Sequence, residues 1–562
     1  MTQSQNVPLI LALSMVKNEQ DIIEPFVRHT TNFVDYHIIL DNGSLDATRA
    51  ILGNLMREID GVIVTTSSEF GYTQSERMTK LLRSCQTTFF ANYVIFLDAD
   101  EFISCESRAE FEQYLATIPS GGYGRIPWRT HVLHPADAER PRDDPPRSMP
   151  WQRANEHPRE NIVLRLDGRY YHDLKIAQGN HSAASETGRD IPSVALTGLK
   201  LDHFPIRSEA QFVAKSIIGW IAYLAMDPEA AKKGEGYHWH LNFDLASRGE
   251  SVTYEQICDL SFRYDQPHKT TIDWETDVVR GWAPDDYVRR YSNGLFMSPL
   301  SMIARTWQST LERREPLLVI KRKETVSSDA STGAADCDSD ADWHWNNPFA
   351  DLAPFVYISE KHKPTSLLDV GCGIGAYATL FKNTGASRVL GVDGIPLSAT
   401  MLGADEYREV DLTQPLALGQ MFDIVMCLEA VEHLPYHESL ALLECLSRHA
   451  SGLVVFSAAE PGQPGHGHIK CLPIEQWLRR WEVLGWVPVL AETLAMRALS
   501  TLSWFKRGLV VLKKGSGVEG EAVIQTLSRI GSRPFAWYHS APGIRYEVLS
   551  EDVPAPPAGY SV

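Results

Sequence analysis

Two apolar runs that stop at acids or glycines limit what this chain can fold into: V-I-F-L-D-A-D-E-F from Val94 to Phe102 and S-L-L-D-V-G-C-G-I-G from Ser366 to Gly375. Each lacks the polar alternation of a half-exposed strand and reads as a strand buried on both faces of a parallel sheet. Polar residues begin where each run ends, and open α/β sheets take their ligands at that carboxyl edge. Around the first run, apolar strands at Leu9 to Val16, Tyr36 to Leu40, Gly61 to Thr65 and Tyr93 to Leu97 alternate with helical stretches, the order of βαβ units. Around the second, strands at Ser366 to Val370, Arg388 to Val392, Phe422 to Cys427, Gly452 to Ser457 and Gly508 to Leu512 repeat that alternation. Between them, S-S-D-A-S-T-G-A-A-D-C-D-S-D-A-D from Ser327 to Asp342 can bury nothing and reads as a flexible linker. It opens like a calcium loop, but Ala341 stands where glycine is required and Asn347 where a bidentate Glu is required, so no calcium site is expected.

The expected fold class is therefore α/β: two Rossmann-like doubly wound domains joined by a helical region and an acidic flexible linker. The expected divisions are a first domain over 1–250, a helical connecting region over 251–326, the linker over 327–345, a second domain over 346–515 and a tail over 516–562. Pro, Arg, Asp and Glu crowd between about Arg140 and Arg159, which suggests a long functional loop. A formal net charge of -18 disfavours nucleic acid, whose binding rests on neutralising phosphates. Eight scattered cysteines without a C-x-x-C pair read as reduced thiols in a cytoplasmic setting. Leu9 to Val16 lacks a basic flank and cleavage site, so a core strand is expected there rather than a leader. Ile217 to Met226 is short of the roughly 20 residues a spanning helix needs, so no transmembrane segment is expected, although peripheral membrane association suits a lipid-linked acceptor.

Asp98 and Asp100 follow an apolar strand directly, which aims both carboxylates at the ligand edge. Magnesium-like ions use one or two carboxylates together with phosphate oxygens. Strand-end acids alone are more often solvated or capping, so context decides. Upstream stand Val16-Lys17-Asn18-Glu19 and I-I-L-D-N-G-S-L-D-A-T, Ile38 to Thr48. Together these resemble an inverting family 2-type glycosyltransferase of the GT-A fold over about Leu9 to Phe102. The resemblance resumes at L-D-H-F-P-I-R-S, Leu201 to Ser208, with Gln211, Phe212 and Lys215 beyond. It implies a nucleotide-sugar donor and a divalent cation, Mn or Mg. Asp41 would contact the base, Glu19 would help form that pocket, and Asp98 would both meet the ribose and serve as a metal ligand. Asp100 and His203 would be metal ligands, with Arg207 and Lys215 on the diphosphate. The base that takes the acceptor's proton stays open between Glu156 and Asp173, each of which reads equally as a surface acid. Y-H-W-H at Tyr237 to His240 could stack on a sugar or end a packed helix.

In the second half, Gly371, Gly373 and Gly375 let backbone N–H groups approach a ligand, and Asp393 at the next strand's end suits ribose hydroxyls. With Ala376 the run also satisfies the G-x-G-x-x-A dinucleotide form, so a nicotinamide oxidoreductase is a rival. Three features weigh against it: Asp369 two residues before the glycines, Asp411-Leu412, and C-L-E-A-V-E-H-L from Cys427 to Leu434. The set resembles class I S-adenosylmethionine-dependent methyltransferases over about Leu367 to Lys514. That resemblance assigns Asp369 and the glycines to the methionine end, Asp393 to the ribose, Asp411 to the adenine and Glu429 to the pocket wall. An acid-rich pocket suits a sulfonium cation. A-A-E-P-G-Q-P-G-H-G-H-I, Ala458 to Ile469, resembles the substrate loop of the sugar- and polysaccharide-associated branch. His433, His466 and His468 are the candidate bases, with His433 equally readable as a residue fixing the E-H-L turn. Zinc at the H-G-H pair lacks further local ligands.

The combined expectation is a bifunctional enzyme of glycan assembly: metal-dependent transfer of a sugar from a nucleotide-sugar to a glycan or lipid-linked sugar, and methylation of a sugar hydroxyl. The alternative is an active methyltransferase with a non-catalytic glycan- or nucleotide-binding N-terminal module.

Overall fold

The computed structural model describes residues 7–66, 74–140, 144–155, 159–226, 243, 252–264, 271–281, 284, 286–292, 295–311, 351–465, 467–516, 518–531, 536–537 and 546–547. Two compact units part at Arg314 and Glu315. Glu156, His466, Tyr237 to His240 and the acidic linker lie outside the described residues.

In the first unit, β1 (Ile10–Val16), β2 (Tyr36–Asp41), β3 (Val62–Thr66) and β4 (Tyr93–Phe96) are parallel and lie in the order β4-β1-β2-β3. Their side chains are almost all buried, as expected of strands covered on both faces. The chain steps outward from β1 to β3, then returns to the other side of β1 with β4. The carboxyl ends of β1 and β4 therefore flank the crevice of a topological switch point.

Beyond β4 come β5 (Glu101–Ser104), β6 (Tyr123–Val132), β7 (Trp151–Arg153) and β8 (Glu160–Arg165). The small hairpin β9 (Leu174–Ile176) and β10 (Ala183–Ser185) follows, then β11 (Ser193–Ala195), β12 (Lys200–His203) and β13 (Val278–Arg280). β8 pairs antiparallel with β4, β6 with β8, and β7 lies between β6 and β13. β12 runs antiparallel to β5 and parallel to β6, which sets His203 opposite Glu101.

Two segments differ from their expected character. The Arg140–Arg159 stretch carries a short helix, Pro145–Ser148, and the strand β7; the region after 251 carries β13 as well as the helices Tyr254–Arg263 and Pro299–Leu311. Val132, Phe262 and Val278 form a small core there with Trp151, Ile272 and Trp274 against it. These apolar residues come in runs too short to show a period, and only pairing between distant segments buries them.

In the second unit, β14 (Ser366–Val370), β15 (Arg388–Asp393), β16 (Tyr407–Glu409), β17 (Phe422–Leu428) and β18 (Ala450–Ser457) are parallel. β19 (Trp486–Pro488) and β20 (Val510–Lys514) complete the order β16-β15-β14-β17-β18-β20-β19, with β20 antiparallel to both neighbours. The switch point falls between β14 and β17. Trp477, Trp481 and Trp486 are among the largest fully buried side chains, and Phe456 meets the first two edge-on at 6.0 and 5.7 Å. The segment after 516, expected as a tail, begins with the helix Val518–Gly531, which packs on the helix Ile474–Val483 and pairs Glu521 with Arg479. Among the described residues no helix is long and apolar enough to cross a membrane. The described cysteines are free thiols.

Candidate active sites

At the first switch point, the two motif loops after β1 and β2 brace each other. Asn18 takes a positive φ of 57°, which turns its side chain to accept from Leu45 N–H at 2.8 Å. Ser44 Oγ accepts from Asn18 N–H at 2.9 Å, and Thr48 Oγ1 accepts from Glu19 N–H at 2.8 Å. Asp41, buried at the end of β2, accepts from Ser44 N–H at 2.9 Å. Glu19 is thereby fixed beside two cations supplied by a distant segment. Arg207 donates to Glu19 at 2.6 Å and to Asp21 at 2.7 Å, and Lys215 Nζ lies 2.6 Å from Glu19. The same cations stand 3.6 and 3.7 Å from Asp100.

Asp98 faces the other way, accepting from the Gln74 and Asn180 side-chain amides at 3.2 and 3.3 Å. Burial, then the neighbouring charge of Asp100, pushes the Asp98 carboxyl up to about 7. Burial, then Asp98, likewise holds Glu101 well above the usual carboxylate range. Glu19, Asp21, Asp98, Asp100 and Glu101 crowd around Arg207 and Lys215, with burial opposing the charge of Asp98 and Glu101, a carboxylate-rich cluster that suits a bound cation. His203 Nε2 lies 4.0 Å from Asp100 Oδ1, and its ring packs on Trp128 at 4.1 Å between centroids, tilted by 33°. Two ligand atoms on one ion stand about 3 to 4.2 Å apart when each bond is about 2.1 Å, so Asp100 and His203 fit a shared ion. Asp98, held by amides, is placed as a flanking acid.

The structure does not leave Asp173 available as a base. Arg189 at 3.0 Å, Ser185 and Thr187 occupy its oxygens inside the β9–β10 hairpin, and these bonds hold its carboxyl well below the usual range against the opposing effect of burial. Asp21 and Glu101 carried a sequence signal, since each sits within or beside a motif. Gln74 and Asn180 carried none, because the folding of loops distant in sequence delivers them.

At the second switch point, Gly371 has φ +71°, and a Cβ there would lie 2.6 Å from the Ala430 Cβ, so the turn closes against the loop after β17 only with glycine. Asp393 accepts from Gly373 and Gly394 N–H, both at 2.7 Å. Asp369 is buried with Oδ2 lacking a hydrogen-bond partner, and burial, reinforced by Asp393, pushes its carboxyl to about 7. Glu429 adopts a positive φ of 51°, uncommon outside glycine and concentrated at functional sites. Gln463 donates to its Oε2, its Oε1 lacks a partner, and burial pushes this carboxyl to about 7 as well. Asp411 is not drawn into this group. It is exposed, and its carboxylate is used within its own turn by Thr413. His433 Nδ1 lies 3.1 Å from Gly467 O, and its ring centroid lies 5.2 Å from that of His468. Burial, then His433, lowers the His468 imidazole below its ordinary value, so it stands neutral near pH 7.

Residues 345–501 match the family model described as a methyltransferase domain. The C-terminal unit carries a methyltransferase domain. A curated relative, "Ubiquinone biosynthesis O-methyltransferase" of Methylobacterium sp. (strain 4-46), is 28% identical over 131 residues, 22% of this chain and 49% of that protein. The chain thus spans about half the length of that relative. Solved structures similar to part of the chain include magnesium protoporphyrin IX methyltransferase from Synechocystis PCC 6803 with bound SAM. It shares 17% identity, 34% of this chain and 87% of that one, with a TM-score of 0.23. A SAM-dependent methyltransferase from Archaeoglobus fulgidus shares 25% identity, 23% of this chain and 64% of that one, with a TM-score of 0.20.

The matched span of the methyltransferase domain takes in the Gly371–Gly375 turn, Glu429, His433 and His468. It ends before β20, which joins β18 to the edge strand β19, and before the helix Val518–Gly531, which packs on the helix Ile474–Val483 of the same unit.

Proposed function

We propose that the methyltransferase domain transfers a methyl group from S-adenosylmethionine to a hydroxyl, and that the N-terminal unit transfers a sugar from a nucleotide-sugar to a glycan or lipid-linked sugar. The observation that carries the first half is the pair of carboxylates beside a glycine turn, buried Asp369 and half-buried Glu429, each with one buried oxygen lacking a partner. Such a pocket fits a cationic ligand that needs close backbone approach. When bound, S-adenosylmethionine supplies a methyl group on a sulfonium centre. The chain's own part is positioning: the turn at Gly371–Gly375 holds the methionine end, Asp393 pairs with ribose hydroxyls, and Glu429 walls the pocket. His433 and His468 stand on the loops after β17 and β18, where a neutral imidazole is suited to take the acceptor hydroxyl's proton.

Calorimetric titration of the full chain with S-adenosylmethionine is expected to give one equivalent bound, and Asp369→Asn to weaken binding at least about tenfold. No binding to the parent would remove this reading.

For the N-terminal unit, the surplus of buried carboxylates at the β1/β4 crevice supports a site for a cation with a diphosphate. Asp100 and His203 would hold the cation, and Arg207 and Lys215 would neutralise phosphate oxygens. Manganese-dependent consumption of one nucleotide-sugar from a panel is the expected result. Binding of nucleotide-sugar without turnover would favour a non-catalytic module instead.

A further inference from the structure

We infer that Glu432, His433 and His468 of the methyltransferase domain form a divalent-metal site for a transition ion of the zinc, cobalt or manganese type. One ligand atom from each of the three lies within 4.8 Å of the others. Ligand atoms around one ion at bonds of about 2.1 Å stand about 3 to 4.2 Å apart, so closure needs a side-chain shift below about 1 Å. The Asp98, Asp100 and His203 set of the N-terminal unit is looser, with Asp98 turned to amides.

A second, independent feature points to a cation. Glu432 is fully buried, and neither of its carboxylate oxygens has a hydrogen-bond partner. A buried carboxylate left in this state is costly unless a cation or proton meets it. The frame around it is rigid. Glu432 and His433 belong to the single turn Val431–His433 directly after β17, while His468 comes from the loop after β18. Ile469 and Lys470 N–H donate to the Glu432 carbonyl at 2.8 and 3.0 Å, clamping the second segment onto the first. His433 Nδ1 donates to the Gly467 carbonyl at 3.1 Å, which leaves Nε2 with its lone pair, the arrangement that orients metal-bound imidazoles. Cys471 Sγ lies 3.5 Å from His468 Nδ1, adding a sulfur at the edge. Two imidazoles and a carboxylate favour a borderline transition ion over magnesium or calcium.

The ligands arrive from segments 35 residues apart, as 433 and 468 show, so the pairing lies beyond local sequence spacing. For its catalytic consequence alone, the inference rests on the methyl-transfer reading: with the ion bound, His433 and His468 act as its ligands rather than as bases, and the ion beside Glu429 would seat the acceptor's oxygen at an open coordination position and ease loss of its proton. Binding itself is independent of that reading.

The test uses the full chain carrying Asp100→Ala, which removes the other candidate ion site, freed of metal with chelator and titrated with zinc alone. One equivalent is expected. Glu432→Gln is expected to weaken binding at least about tenfold, and His433→Ala with His468→Ala at least about a hundredfold. Far-UV circular dichroism and the thermal midpoint report whether each variant folds. Should the double variant unfold, electron spin echo spectra of manganese bound to the parent decide: nitrogen couplings from imidazole are expected. Absence of those couplings, no zinc binding by the parent, or one equivalent bound unchanged by the double variant would overturn the site. A chain that binds zinc here but not S-adenosylmethionine would keep this inference and sink the methyl-transfer reading.

Discussion

Asp369 and Glu429 titrate near pH 7 because burial opposes their charge, and a cationic ligand reverses that opposition. Below pH 7 both are largely protonated, so S-adenosylmethionine must displace protons to bind. Affinity is therefore expected to rise between pH 6 and 8, by about tenfold for each group whose ionised form is required. Calorimetry in buffers of different ionisation heat should show proton release, whereas a flat profile would contradict the role of these acids. The same shift has a stability counterpart. The folded ligand-free chain holds protons that the unfolded chain has released from about pH 4, so the domain loses stability as pH climbs from about 4 to 7. At Gly371 the strain is steric. Gly371→Ala combines a positive φ with a Cβ contact of 2.6 Å, and a loss of about 2 to 4 kcal/mol is expected in denaturant melts of that domain. In the N-terminal unit, Arg207→Met removes the fully buried partner of Glu19 and Asp21 and is expected to cost about 3 to 5 kcal/mol, measured the same way.

At the scale of elements, the segment 286–292 is strapped to the helix Ile23–Thr30 by one carboxylate. Glu24 accepts from the backbone N–H of Arg290, Tyr291 and Ser292 at 2.7 to 2.9 Å and from Arg28 Nε at 3.0 Å. These bonds lower its carboxyl below the ordinary value against the cost of burial. Their contribution is present above about pH 4.5 and fades as pH falls through the lowered folded value. Glu24→Gln is expected to cost about 2 kcal/mol and to speed proteolysis within 286–292; unchanged cleavage would argue against the strap. Such tethers were not legible in the sequence, and neither were β5 to β13. The central parallel strands announced themselves as unbroken apolar runs, and β14 spans the residues expected, Ser366–Val370. β7, β12 and β13 are three or four residues long and gain their identity from partners far along the chain. The candidate sites divide in the same way. Acids at strand ends, Glu19, Asp98, Asp100 and Asp369, could be read from the pattern. Asp173, a candidate base equally readable as a surface acid, and Asp411, assigned by resemblance, are used locally by Arg189 and Thr413, because a loop acid's partners are set by turn geometry rather than by strand direction.

At the scale of the whole molecule, two units each place a ligand-ready edge at a switch point, and they do so with different chemistry. The first gathers five carboxylates with Arg207 and Lys215, suited to a metal and a diphosphate; the second sets Asp369 and Glu429 beside a glycine turn, suited to a sulfonium cation. Independent sites make independent losses. The decisive measurement is paired turnover by the full chain, following nucleotide-sugar consumption and methyl transfer from labelled S-adenosylmethionine in the parent, Asp100→Ala and Asp369→Asn. Two separate active sites require Asp100→Ala to abolish sugar transfer while sparing methylation, and Asp369→Asn to do the reverse. Loss of both activities in either folded variant, or sugar transfer that survives Asp100→Ala, would contradict them.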